Sequence, residues 1–154
     1  MTIAEKKDVL KTAINPHTTN FLVKIKEIEF ENQYKELDGV LVSLHKEVEA
    51  SNYHKVYRSS DHTRGIYSLT PSALKLYTWI QYNTGYGEDF VYLNRPRAIK
   101  DLDLSVNTMK KIVKELQIKG FITATVYRSI YWVNPEYFFV GDRIKKYPKN
   151  LKTN

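Results

Sequence analysis

Apolar residues recur at helical spacing most clearly in SVNTMKKIVKELQIKGFI, where Met109, Ile112, Val113 and Leu116 share one face. Ser105 offers a hydroxyl to the free amides of the first turn, and Gly120 stands where a helix commonly ends in a left-handed residue. The opposite face carries Asn107, Lys110, Lys111 and Lys114, with only Glu115 to offset them. Upstream, Thr70 followed by Pro71 predicts a helix start, with Ala73, Leu76, Tyr77 and Ile80 inward and Gly85 beyond its end. Phe90 to Leu93 reads as a short strand, and Asn94 with Pro96 opens a further helix whose Ile99 and Leu102 face in. Asp103, Leu104 and Ser105 then make a tight turn. After Gly120, Phe121 to Tyr127 and Ile130 to Val133 are rich in β-branched and aromatic residues and predict a hairpin joined through Arg128 and Ser129.

Helix, short strand, helix, tight turn, helix and hairpin, in that order, predict an α+β winged helix-turn-helix domain over residues 70–140. The chain before it is less regular. Residues 1–20 mix Lys, Asp, Asn, Pro and Thr and read as a flexible arm or a short frayed helix up to Ala13. Residues 21–69 form an N-terminal extension. In it Phe21, Val23 and Ile25 alternate with Leu22, Lys24 and Lys26, continued by Ile28 and Phe30 between glutamates, as a strand with one polar face. Its partner is expected in Val40–Leu44 or Lys55–Arg58, after turns near Asp38-Gly39 and Ser51-Asn52. Leu37, Leu41, Leu44 and Val48 are also spaced for a helix, so residues 33–50 stay undecided. Ser59 to Gly65 reads as a polar loop. Residues 141–154 read as a basic tail carrying Arg143, Lys145, Lys146, Lys149 and Lys152, the tail either lying along phosphates or merely solubilising the chain.

Charge sharpens this picture. The net charge is +7, and up to Leu69 ten Lys/Arg balance ten Asp/Glu, whereas from Thr70 onward fourteen face seven. The whole excess therefore lies in the half that holds the predicted winged domain. Such a distribution favours a polyanionic partner, and nucleic acid over membrane, because no basic amphipathic helix with a Trp/Phe/Leu face occurs. No apolar run is long enough for a membrane span or a secretory signal, so a cytoplasmic location is expected. With no cysteine, disulfides and thiolate metal sites are excluded.

On the winged reading, Asn107 can pair with adenine, and Val106 or the Thr108 methyl can touch a thymine methyl. Lys110, Lys111 and Lys114 would hold phosphates or guanine edges, and Arg95 and Arg97 would grip the backbone at a helix start. Arg128, at the hairpin tip, would reach a neighbouring minor groove. The alternative is a solvated lysine face on a protein-binding module. Tyr127, Tyr131 and Trp132 read as core or cross-strand residues, with base stacking as the other possibility. Catalysis is not expected. The four histidines, His17, His45, His54 and His62, form no metal-binding pair, and Gly85-Tyr86-Gly87 lacks the lysine of a phosphate loop. Asp101 and Asp103 read as solvated or capping carboxylates, and neither cofactor nor metal is expected.

Three passages carry a family resemblance: SLTPSALKLYTWIQYN, the helix pair ending in KELQIKGFI, and YWVNPEYFFVGDRIKKY. In the third, asparagine, proline, paired aromatics and Gly-Asp-Arg follow in one order. Together they make Tyr67 to Pro148 resemble the RepL-type plasmid replication initiators, a winged-helix family with phage and mobile-element relatives. The resemblance implies binding of origin DNA and recruitment of host replication proteins, without nuclease or polymerase activity, and implies that the helix around Asn107 and Lys110 is the DNA reader. A transcriptional regulator, or a phage structural or interaction protein retaining the fold, is the alternative expectation. A homodimer is expected in the DNA-binding cases, since one recognition helix reads too few base pairs, and the N-terminal strand is its candidate surface.

Overall fold

Side chains that cap their own helices set most of the element boundaries. The computed structural model describes residues 1–25, 34–37, 40–43 and 54–153. Thr2 and Glu5 form a reciprocal capping box that starts α1 (Ile3–Thr12). Ser59 caps α2 (Ser60–Ser68), Thr70 caps α3 (Pro71–Asn83), and Asn94 caps α4 (Arg95–Leu102). Ser105 caps α5 (Val106–Ile118), and Asp142 caps the short α6 (Arg143–Lys146). Helix α5 ends as its sequence predicts: Gly120 is left-handed at φ +78, and the amides of Gly120 and Phe121 donate back to Gln117 and Leu116. Asp103, at φ 52, supplies the left-handed residue between α4 and α5.

Nine short strands make four small sheets among the described residues. The central one has three antiparallel strands in the order β5 (Phe90–Tyr92), β7 (Ile130–Val133), β6 (Ile122–Ala124). β2 (Tyr34–Leu37) pairs antiparallel with β3 (Val40–Ser43), and β4 (Lys55–Val56) with β8 (Phe138–Phe139). β1 (Val23–Ile25) pairs in parallel with β9 (Leu151–Thr153). The architecture is α+β.

The central sheet is covered on both faces, which explains why all four residues of β7 are buried. Val91, Tyr131 and Val133 face a core built with α3, α4 and α5, where Leu76, Ile80, Met109 and Leu116 are almost fully enclosed. Each such aliphatic side chain contributes about 1.5–3 kcal/mol by leaving water. Phe90, Ile130 and Trp132 point the other way and meet Leu10 of α1, with Phe90 and Trp132 edge to face at 6.1 Å. A third cluster gathers Phe21, Val23, Phe139 and Tyr147 from the two ends of the chain.

A buried polar cluster ties these parts together. The Asp89 carboxylate accepts hydrogen bonds from the Tyr147 hydroxyl at 2.6 Å and the Asn15 amide at 3.2 Å. The same amide also reaches the carbonyls of Asp89 and Val133. Burial, and then the neighbouring Asp89 charge, push the Tyr147 hydroxyl pKa well above its ordinary range, so it remains a donor.

Several expectations need correction. Ser59–Gly65 is not a loop: it supplies the cap and first turns of α2, whose inner face is His62, Gly65 and Ile66. His62 is stacked on Tyr137 at 4.6 Å, and its ring nitrogens meet the Tyr57 carbonyl at 3.0 Å and the Tyr77 hydroxyl at 3.2 Å. Those partners replace the water its polar ring would otherwise need. Gly65 lets the helix sit against Phe121, where a Cβ would come within 2.9 Å of the ring. Of the two readings of the first residues, the arm gives way to the short helix up to Ala13, which is present as α1, anchored by Leu10 and followed by the buried Asn15. The first strand pairs with β9, not with Val40–Leu44 or Lys55–Arg58. Its expected continuation through Ile28 and Phe30, and the turns at Asp38-Gly39 and Ser51-Asn52, lie outside the described residues. The hairpin is wider than a two-residue turn, because Thr125 folds back through its hydroxyl onto Tyr127 and Ile130. Residues 141–154 contain α6 and β9 and pack through Tyr147.

Tyr147→Phe should lower stability by about 1–3 kcal/mol in urea unfolding, because it removes the best donor to a buried carboxylate while keeping the ring. Tyr86→Phe, at an exposed ring, is the control and should change little. Equal effects from the two would remove Asp89 from the list of anchoring groups.

Candidate nucleic-acid interface

Helix α5 buries Met109, Ile112, Val113 and Leu116, which turns its other side outward. Val106, Asn107, Lys110, Lys111 and Lys114 are all exposed on it. Asn107, Lys110, Lys111 and Lys114 stand at steps of three, one and three and therefore form one patch. Among the described residues, no ion pair engages any of the three lysines. Thr108 is only half-exposed and is tied into the cap, its amide donating to the Ser105 oxygen at 3.0 Å and the two hydroxyls lying 2.9 Å apart.

Glu115, expected to offset these lysines, is directed elsewhere. Its carboxylate accepts from the Thr70 amide and the Thr70 hydroxyl, both at 2.9 Å, and lies 3.5 Å from Lys119. Lys119 in turn donates to the Ser68 carbonyl. The acid thus closes the start of α3 and pins it to α5. Burial opposes its charged form, but the Thr70 amide, the Thr70 hydroxyl and Lys119 outweigh that and hold its pKa below the ordinary 4.5. This role has no signature in the sequence, since Thr70 and Glu115 are 45 positions apart.

The three arginines are less uniform. Arg97 is exposed at the start of α4 but lies 3.8 Å from Asp101 on the same helix. Arg95 is half-buried and donates to the Tyr131 hydroxyl at 3.1 Å, which fixes it over the central sheet. Arg128 is exposed in the loop between β6 and β7. The neighbouring Ser129 carbonyl accepts from Leu93 at 2.8 Å, so Arg128 and Arg95 share the end of the sheet where β5 leads into α4. The lysines of α5 are separate from this pair in the chain, beyond the turn at Asp103.

Other candidates are absorbed by the fold. Tyr131 and Trp132 are buried, and Tyr127 packs beside Leu10, which leaves base stacking without a free ring there. Arg143, counted with the basic tail, lies over the Tyr57 ring at 3.4 Å and donates to the Pro135 carbonyl at 3.1 Å. Asp101 accepts from the Trp79 indole at 2.9 Å, and Asp103 is the left-handed cap of α4. Among the described residues, no group of three His, Asp or Glu is placed to hold a metal ion, and no helix is long and apolar enough to cross a membrane. Comparison of the chain with protein families, with curated proteins and with solved structures finds no match in any of the three.

Because folding lowers the Glu115 pKa, the stability it contributes is complete above pH 4.5 and is lost as pH falls through the folded value. Glu115→Gln should therefore cost about 1–3 kcal/mol at neutral pH. The gap to wild type should close on acidification below 4.5. Parallel wild-type and variant stability curves across that range, followed by chemical denaturation, would contradict the assignment.

Proposed function

We propose that this chain is a winged helix-turn-helix protein that binds double-stranded DNA, with α5 as the reading helix. In this proposal it acts as a replication initiator or maintenance protein of a plasmid or phage, the role its resemblance to RepL-type initiators implies. Support for the fold begins with the order α3, β5, α4, α5, β6 and β7. The tight turn at Asp103 and the packing of α3 on both α4 and α5 add to it. The observation that carries the function is the outer face of α5: an amide and three ammonium groups, exposed together, with the nearest acid drawn away to Thr70. Such a face suits the major groove, where Asn107 would address a base edge and the lysines phosphates. Arg97, from the start of α4, and Arg128, from the loop between β6 and β7, would add backbone contacts. Arg95 would act chiefly by bracing the sheet through Tyr131. On this reading, two copies bind together, because a single short helix specifies only a few base pairs.

Binding to duplex DNA across a salt series tests the proposal, with wild type beside a Lys110→Ala, Lys111→Ala, Lys114→Ala triple variant. The wild type should show a steep loss of affinity with salt, and the variant a slope flatter by about one unit for each phosphate contact removed. Asn107→Ala should narrow the difference between preferred and random sequence while leaving the salt slope in place. Absence of binding by wild type at low salt would sink the reading and leave α5 as a protein-docking face.

A further inference from the structure

Helix α1 covers the outer face of the central sheet through Leu10, and residues at its start reach the loop between β6 and β7. The Tyr127 hydroxyl donates to the Met1 sulfur at 3.9 Å, and the Lys6 ammonium stands 5.8 Å from the centre of the same ring. Arg128 is the next residue in that loop and is exposed. One cation from α1 and one from the hairpin therefore share an end of the sheet. The loop between them is held from within. Thr125 ties Tyr127 and Ile130 through its hydroxyl, and the Ser129 carbonyl accepts from the Leu93 amide.

The acids around α1 are engaged elsewhere. Glu5 accepts from the Thr2 amide at 2.6 Å in the capping box, and Asp8 lies 2.7 Å from Lys11. Glu88 pairs with Lys7 at 3.3 Å. Lys6 and Arg128 are in no ion pair among the described residues. The face of the Tyr127 ring positions the Lys6 ammonium without taking up its N–H donors, which stay available to an anion.

We infer that Lys6 and Arg128 form a second phosphate-binding pair for duplex DNA, which brings the first helix into the interface. This rests on the DNA-binding reading and deepens it, since the pair is separate in the chain from the lysines of α5. Helix α4 joins the two places. It has eight residues and is therefore about 12 Å long, running from the strand end beside this loop to the turn that opens α5. One turn of duplex is about 34 Å, so the loop and the start of α5 fit along a single turn.

Binding to a long random-sequence DNA duplex across a salt series tests the pair, because phosphate contacts do not depend on sequence. Lys6→Ala and Arg128→Ala should each flatten the salt slope by about one unit, and the double variant by about two. Lys11→Ala removes the same charge from α1, but from a lysine already paired with Asp8, and should leave the slope at the wild-type value. Lys6→Arg should keep the slope, since a guanidinium also binds phosphate. None of these side chains is buried, so each variant should unfold at the wild-type urea concentration, which separates lost binding from lost folding. Wild-type slopes for Lys6→Ala and Arg128→Ala, beside a flattened slope for the α5 triple variant, would overturn the inference and leave the α5 reading intact. Equal flattening by Lys6→Ala and Lys11→Ala would overturn it too, by reducing the effect to net charge. Flattening by Lys6→Ala and Arg128→Ala but not by the α5 triple variant would support the pair and sink the assignment of α5. A wild type that binds no DNA at low salt would overturn both.

Discussion

A single buried carboxylate holds the ends of this chain to its middle. Asp89 sits at the entrance to the central sheet and is almost inaccessible to water, a placement that is costly unless its charge is hydrogen-bonded. Its partners come from distant parts of the sequence: Asn15 just after α1, and Tyr147 just after α6. Asn15 also bridges to the Val133 carbonyl, so one amide joins the N-terminal segment to β5 and β7 together. His17 follows two residues later and meets the Thr123 hydroxyl at 2.9 Å. Burial lowers its pKa, although the Asp89 charge pulls the other way, so the neutral ring is favoured at this contact. With these links made, α1 is held over the outer face of the sheet and β1 is delivered beside β9. A hairpin that would otherwise present one bare apolar face, including Trp132, is closed on both sides.

The legibility of the sequence divides along the same line. Elements whose boundaries depend on neighbours in the chain were readable: Thr70 with Pro71, Asn94 with Pro96, Ser105 and Gly120 each act within a turn of where they stand. The apolar stripe of α5 was equally plain, because every inward residue is aliphatic or Met. Helix α2 was hidden for a specific reason. Its inward residues include His62 and Gly65, which look polar and helix-breaking until Tyr77, Tyr137 and Phe121 are seen around them. Ile66 and Leu69 continue that face at helical spacing, a signal that was present but outweighed by the Ser, Asp, Thr and Arg between them. The parallel pairing of β1 with β9 had no local signal at all. It joins strands more than a hundred residues apart, and the alternation in β1 reported a strand without reporting its partner.

The candidate site was legible in its residues and not in its electrostatics. Counting charges along α5 sets Glu115 against the lysines, as though all four shared one face. In three dimensions the carboxylate has a better use, since Thr70 offers both an amide and a hydroxyl at an unfinished helix start. Two effects follow from this one placement. Helices α3 and α5 are locked at a fixed relation, and the potential over Lys110, Lys111 and Lys114 rises because the closest negative charge is directed to another surface.

Net positive charge is therefore a poor guide to the interface until each cation is placed. Arg143 stands among the basic residues of the last segment, yet its guanidinium lies over the Tyr57 ring and its bond to the Pro135 carbonyl fixes the chain there. Lys119 is spent on Ser68 and Glu115, and Arg95 on Tyr131. Each of these cations has partners whose loss would be felt in folding. The lysines of α5 differ in kind: they leave a well-capped, well-packed helix on the side away from the core and meet no acid among the described residues. Like charges gathered on one rigid face repel one another, a small but real cost that folding does not recover within the chain. On the proposed function, an anionic partner would recover it on binding. That distinction between cations consumed by the fold and cations left over by it is why the proposed nucleic-acid contact is assigned to α5 rather than to the basic half as a whole.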